Sequence, residues 1–182
     1  MGASTGERLV LLFPHDRIRA RVRELAEAIR HDYHGRDLVI IGVLKGAFMF
    51  VADLIRELNL PVSIDFVTLS SYGSATATSG APTIARAPTV EIRDKDVLVI
   101  EDVVDSGLSM KALLADLGGR RPRSLRLCAL LDKRERRVET IAIDYVGFEV
   151  PRGFVVGYGI DYAEKYRYLP DIYRLEFEPV TS

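Results

Sequence analysis

VLVIEDVVDSGLS, residues 97–109, runs from a wholly apolar strand into three acids and then into a helix start. Val97 to Ile100 show no apolar–polar alternation, as a strand buried on both faces would. Glu101, Asp102 and Asp105 follow at once, and Ser106, Gly107 and Ser109 supply small residues where a helix opens. A helix N-terminus offers unbonded N–H groups and the positive end of the helix dipole, which suit an anion such as phosphate. Adjacent carboxylates suit polyol hydroxyls, or Mg²⁺ with its oxygen ligands. Phosphate beside carboxylates points to a sugar phosphate. The bland alternative is an Asp-Ser-Gly that only caps a helix while its acids stay in water. Three acids at the end of a buried strand weigh against it, because an unpaired buried carboxylate is costly.

Similar runs lie on either side. LVIIGVL at 38–44 and LRLCALLD at 125–132 read as further buried strands. The spacing Ile18, Val22, Leu25, Ala26, Ile29 predicts a helix that starts near Pro14 and Asp16 and stops at Gly35. Gly46 opens a second helix with Phe50, Leu54, Ile55 and Leu58 as its apolar stripe, and Gly107 to Leu117 fits a third. Residues 62–68 alternate weakly, and YVGFEV (145–150) and FVVGYGI (154–160) read as short strands. Residues 1–8 read as a loose tail. Residues 70–89, SSYGSATATSGAPTIARAPT, read as a long loop, which inside a compact domain is disordered or functional. Helices alternating with buried strands predict an α/β fold with a mainly parallel sheet, helices on both faces, and a ligand at the carboxyl ends of the strands. The loops after Leu44, Ile100, Leu131 and Tyr158 are therefore the ones to inspect.

Composition narrows the class. A chain of 182 residues suits a single domain spanning 1–182. With 48% apolar and 28% charged residues it is neither disordered nor fibrous. A net charge of −1 argues against an electrostatic nucleic-acid binder. The lone Cys128 excludes an internal disulfide and fits an inert core thiol. No apolar run is long enough to span a membrane, and the N-terminus lacks a signal-peptide pattern. A soluble cytoplasmic protein with no nucleic-acid or membrane partner is the expectation.

The segment 97–109 resembles the phosphoribosyl-diphosphate (PRPP) signature of the type I phosphoribosyltransferases. VLKGAFMF (43–50), SSYGS (70–74), LLDKRERR (130–137) and VGFEVPRGFVVGYGIDYAEKYRYLP (146–170) follow the order of that family's hypoxanthine(-guanine) branch. The resemblance covers about residues 9–172. It implies the type I fold, with a small C-terminal purine-binding hood to which residues 145–176 contribute. It implies Mg²⁺-dependent transfer from PRPP to a 6-oxopurine, hypoxanthine and guanine, giving IMP or GMP and pyrophosphate, by a homodimer or homotetramer.

The resemblance also implies residue roles. Glu101 and Asp102 would hold the ribose hydroxyls, directly or through Mg²⁺. Asp105, Ser106, Gly107, Leu108 and Ser109 would hold the 5′-phosphate, with Leu108 where one relative has Lys. Asp105 would exchange the proton at purine N7. Lys45 and Gly46 would meet pyrophosphate through their backbone after a cis Leu44–Lys45 peptide, and Arg167 would reach it with its side chain. Ser71 and Tyr72 would begin a mobile lid over the site, within the loop 70–89. Lys133 would donate to the exocyclic oxygen and so select against adenine. Phe154 would stack on the purine, Val155 would read its edge through the backbone, and Asp161 would hold a second Mg²⁺ on the purine side. Without the motif, Lys45 and Lys133 read as solvated lysines, Phe154 and Val155 as strand core, and Asp161 and Arg167 as a surface ion pair. The remaining members of DKRERR read as solvated.

Rival readings fit less well. A PRPP-sensing regulator carries an extra domain or a basic RNA face, and an eight-residue tail and a charge of −1 supply neither. A flavodoxin-like switch domain lacks the segment 146–170. Adenine and uracil phosphoribosyltransferases share the PRPP loop but differ downstream.

Overall fold

Residues 5–70, 83–150 and 153–179 are described by the computed structural model. In chain order they form β1 (Thr5–Phe13), α1 (His15–Tyr33), β2 (Leu38–Leu44), α2 (Phe48–Leu58), β3 (Val62–Ser70), β4 (Thr83–Arg86), β5 (Asp96–Val104), α3 (Leu108–Gly119), β6 (Ser124–Asp132), β7 (Tyr145–Glu149), β8 (Phe154–Val156) and β9 (Ile172–Pro179).

The main sheet has the order β4-β3-β2-β5-β6-β7. All its pairings are parallel except the edge pair β3–β4. Strand β2 is apolar throughout, and β5 and β6 carry apolar runs at Val97–Ile100 and Leu127–Leu131, because both faces are covered. Leu38, Ile40, Leu98, Ile100, Cys128 and Leu130 pack with α1 and α2 on one face. Val39, Ile41, Val97, Val99, Leu127 and Ala129 pack with α3 on the other. Helix α1 buries Ile18, Val22, Leu25, Ala26, Ile29 and Tyr33, the stripe its periodicity predicts. A full burial of one such Leu or Ile contributes about 1.5–3 kcal/mol. Cys128 is fully buried, and burial pushes its thiol pKa up, as a core thiol requires.

From β2 the chain moves outward to β3. It then returns to the other side of β2 as β5, and proceeds to β6 and β7. The connections leaving β2 and β5 therefore diverge, and a crevice opens between the carboxyl ends of these two strands. This α/β sheet with helices on both faces is the fold the sequence predicts.

Four local expectations are corrected. The tail read at residues 1–8 is already strand from Thr5, because β1 pairs antiparallel with β9 from Thr5↔Pro179 to Phe13↔Ile172. The loop read at 70–89 contains β4, which pairs with the end of β3. Strand β7 belongs to the main sheet beside β6, so the purine-side hood is built without it. That hood is a separate sheet of order β1-β9-β8, which draws on both ends of the chain. Helix α2 begins at Phe48, with Gly46 left free in the turn before it. Among the described residues no helix is long and apolar enough to cross a membrane.

Candidate active site

The crevice between β2 and β5 is a cleft of about 270 Å³ lined by Leu44, Gly46, Glu101, Asp102, Asp105 to Gly107 and Ser109, among others. Glu101 ends the buried part of β5 and is 8% exposed. The Asp102 N–H donates to Glu101 Oε1 (3.0 Å). Burial first, and then the neighbouring charge of Asp102, pushes the Glu101 carboxyl well above its usual range. Two crowded carboxylates of this kind are a good receptor for a hard cation or for hydroxyl donors.

The turn after β2 faces these acids. Its Leu44–Lys45 peptide is cis. Gly46 makes a close approach: a Cβ there would lie 1.8 Å from Asp102 Oδ2, so a larger residue would displace the carboxylate or the turn. The turn of residues 105–107 then leads into α3. Gly107 has φ +83°, a left-handed conformation that glycine adopts freely. Leu108 N–H donates to Ser106 Oγ at 3.4 Å, and the first turn of α3 opens toward the cleft with Ser109 among its lining residues.

Asp105 and Lys133, read from separate motifs, meet here. Lys133 is buried, and its Nζ donates to Asp105 Oδ2 (3.2 Å). Asp105 Oδ1 is buried and has no hydrogen-bond partner among the described residues. The segment after Tyr158 packs against the β2 turn, where a Cβ on Gly159 would lie 2.5 Å from Gly46 O, and Arg167 Nη1 donates to Gly159 O (2.8 Å). Arg167 Nη2 sits 2.7 Å from Asp161 Oδ1, so Asp161 is engaged by a cation. Lys45 Nζ pairs with Glu164 Oε1 (3.1 Å), and Glu164 also lies 3.5 Å from Arg167 Nη2. Among the described residues no group of three or more acidic, His or Cys side chains could hold a metal ion, so Glu101, Asp102 and Asp161 do not form one cluster. A Mg²⁺ ion held by one or two carboxylates, with its other sites on water and substrate oxygens, needs no such cage.

In the hood, Phe154 is half exposed, and its ring makes edge contacts with Tyr162 (5.5 Å) and Phe177 (5.9 Å). Val155 is buried and pairs with Arg174. Ser71 and Tyr72 lie outside the described residues.

Three residues escaped the sequence reading. Tyr162 and Phe177 flank Phe154, and no local pattern marks either of them. Arg137 reads from sequence as solvated, yet its side chain is 17% exposed and bonds Val104 O, Asp105 O and the Asp132 carboxylate. The available signal is its place four residues after Lys133 in the chain.

Comparison with known proteins agrees with this geometry. Residues 12–163 match the model of the phosphoribosyl transferase domain. The chain is 46% identical to the hypoxanthine phosphoribosyltransferase of Salmonella typhimurium over 162 residues, 88% of this chain and 91% of that protein. It is 46% identical over 172 residues to the hypoxanthine-guanine phosphoribosyltransferase of Mycobacterium tuberculosis, covering 91% of this chain and 85% of that one. A crystal structure of a hypoxanthine-guanine phosphoribosyltransferase from Bacillus anthracis superposes with a TM-score of 0.87 at 41% identity, covering 94% of this chain and all of the other.

Proposed function

The chain belongs to the phosphoribosyltransferase family, and on that premise we propose that it transfers the ribosyl group of PRPP to hypoxanthine and guanine, with Mg²⁺, releasing pyrophosphate. The observation that carries the reading is the Asp105 carboxyl, which has one buried oxygen without a partner and the other beside the buried Lys133 ammonium. A group that must accept a proton from a ligand is supported by such an open acceptor.

The bond that breaks joins ribose C1′ to a pyrophosphate oxygen, and the electron pair leaves with pyrophosphate. Purine N9 supplies the pair for the new bond to C1′, and Asp105 takes the proton from N7. The Lys133 ammonium has donors beyond the one given to Asp105, and it donates to the 6-oxo group. Phe154 stacks on the ring and Val155 meets its edge. The N-terminal turn of α3, with Ser106, Gly107, Leu108 and Ser109, holds the 5′-phosphate. Glu101 and Asp102 hold the ribose hydroxyls and Mg²⁺, and Asp161 is the acid for a second ion. When bound, the ion neutralises charge on the departing pyrophosphate. Arg167 and the backbone of Lys45 and Gly46 add to that neutralisation. Ser71 and Tyr72 begin a lid that keeps water from the activated ribosyl centre. The reading includes a cytoplasmic homodimer or homotetramer, supported by the exposed Phe48 and Tyr168.

The test is a coupled assay of pyrophosphate release with PRPP, Mg²⁺ and each of hypoxanthine, guanine, xanthine, adenine and uracil. Release with hypoxanthine and guanine, abolished by a chelator, is expected. PRPP binding without release by any base would instead make the protein a PRPP sensor.

A further inference from the structure

The segment 133–139 behaves as a strap across the back of the PRPP loop. A turn closed by Arg137 N–H to Arg134 O (3.1 Å) brings Arg137 back toward β5. Val104 O accepts from Lys133 N–H (3.0 Å) and from Arg137 Nη2 (3.1 Å). Asp105 O accepts from Arg137 Nε (2.9 Å). Ser106 O accepts from the N–H groups of Val138 (2.9 Å) and Glu139 (3.1 Å). The guanidinium also bonds the carboxylate of Asp132, a buried residue, so its own charge is met. Arg134 has 65% side-chain exposure, against 17% for Arg137, which separates the inward member of the run from an outward one.

Three successive carbonyls thus turn to the strap. In a planar trans peptide the next N–H points the opposite way. The N–H groups of Asp105, Ser106 and Gly107 are therefore directed away from the strap, on the side of the cleft that these residues line. Successive N–H groups aligned in this way make an anion-binding concavity.

We infer that Arg137 is a positioning residue for PRPP: its guanidinium holds the carbonyls of Val104 and Asp105, and so aims the loop's N–H groups at the phosphate and keeps Asp105 in place. The inference rests on the phosphoribosyl-transfer reading. Lysine cannot replace it, because a point charge lacks the planar fork that spans two carbonyls and a carboxylate.

The test compares wild type, Arg137→Lys and Arg137→Ala by calorimetric titration with PRPP and Mg²⁺, by steady-state kinetics, and by thermal unfolding. Misplacement of a site by about 1 Å can cost on the order of 10²-fold. A fall of about that size in kcat/KM for PRPP is expected in both variants, with the KM for hypoxanthine little changed. Added guanidinium should recover part of the lost PRPP affinity of Arg137→Ala, an effect that a purely structural arginine would not show. If Arg137→Ala fails to fold, Arg137→Lys decides. Wild-type PRPP affinity in Arg137→Lys overturns this inference alone, provided that wild type binds PRPP and turns over. Equal losses for PRPP and hypoxanthine without rescue also overturn it. A wild-type chain that does not bind PRPP overturns the transfer reading and this inference together.

Discussion

Asp105 and Gly46 show how much the site depends on single atoms. The two oxygens of Asp105 differ in surroundings: one takes Lys133 and the other is buried and open. Asp105→Asn keeps the shape and removes the proton acceptor. Turnover should fall by about 10²–10⁴-fold while PRPP affinity barely moves. Stopped-flow or steady-state kinetics beside a PRPP titration checks this, and an unchanged kcat would remove Asp105 from proton transfer. Gly46→Ala acts differently. The new methyl would overlap Asp102 Oδ2, so the turn or the carboxylate must move. A loss of PRPP affinity on the order of 10²-fold is expected by calorimetry. Asp105 is legible as a candidate in the sequence, because strand, acids and small residues sit side by side in 97–109, whereas the approach of Gly46 to Asp102 joins two distant segments and no local pattern marks it. Arg137 was not legible, since a run of like charges reads as a solvated face and only the turn at 134–137 reveals its direction.

Among the elements, β9, like β1 and β4, is one that pattern reading could not supply. Its partners are β1, at the opposite end of the chain, and β8. Nothing local announces so distant a pairing, and so residues 1–8 read as tail and the resemblance stops at about residue 172, where β9 begins. The buried strands β2, β5 and β6 were legible because their apolar runs record burial on both faces. Strand β9 brings Phe177 against Phe154 and Tyr162, with ring centroids 5.9 and 5.3 Å apart. An edge-to-face aromatic pair is worth about 0.5–1.5 kcal/mol. Phe177→Ala should therefore raise the KM for hypoxanthine roughly 2–10-fold and leave the KM for PRPP alone. A matching rise in both would show that β9 supports the whole site and not the ring of Phe154.

At the scale of the molecule, the proposed PRPP site and the proposed stacking site for the purine have different foundations. The acids and the α3 turn are carried by the main sheet, as is Lys133, proposed for the purine 6-oxo group, whereas Phe154 and Val155, proposed for the ring, belong to the sheet β1-β9-β8. Removing residues 1–12 takes away most of the pairing that β1 gives to β9. A loss of a few kcal/mol is expected, which for a chain of this size lowers Tm by roughly 10 °C. Purine binding should weaken more than PRPP binding, and calorimetry with each ligand separates the two. Equal losses would mean that the sheets unfold as one unit.

The pairing of Thr5 with Pro179 also sets an order of events during synthesis. A chain emerging from the ribosome can complete its main sheet once β7 is out, but β1 waits for β9 before it finds its neighbour. Until then β1 is an open edge, able to pair with a strand of another nascent chain. On the proposed function, the acids and the α3 turn that would hold PRPP are thus in place before the small sheet that carries Phe154 and Val155 is complete.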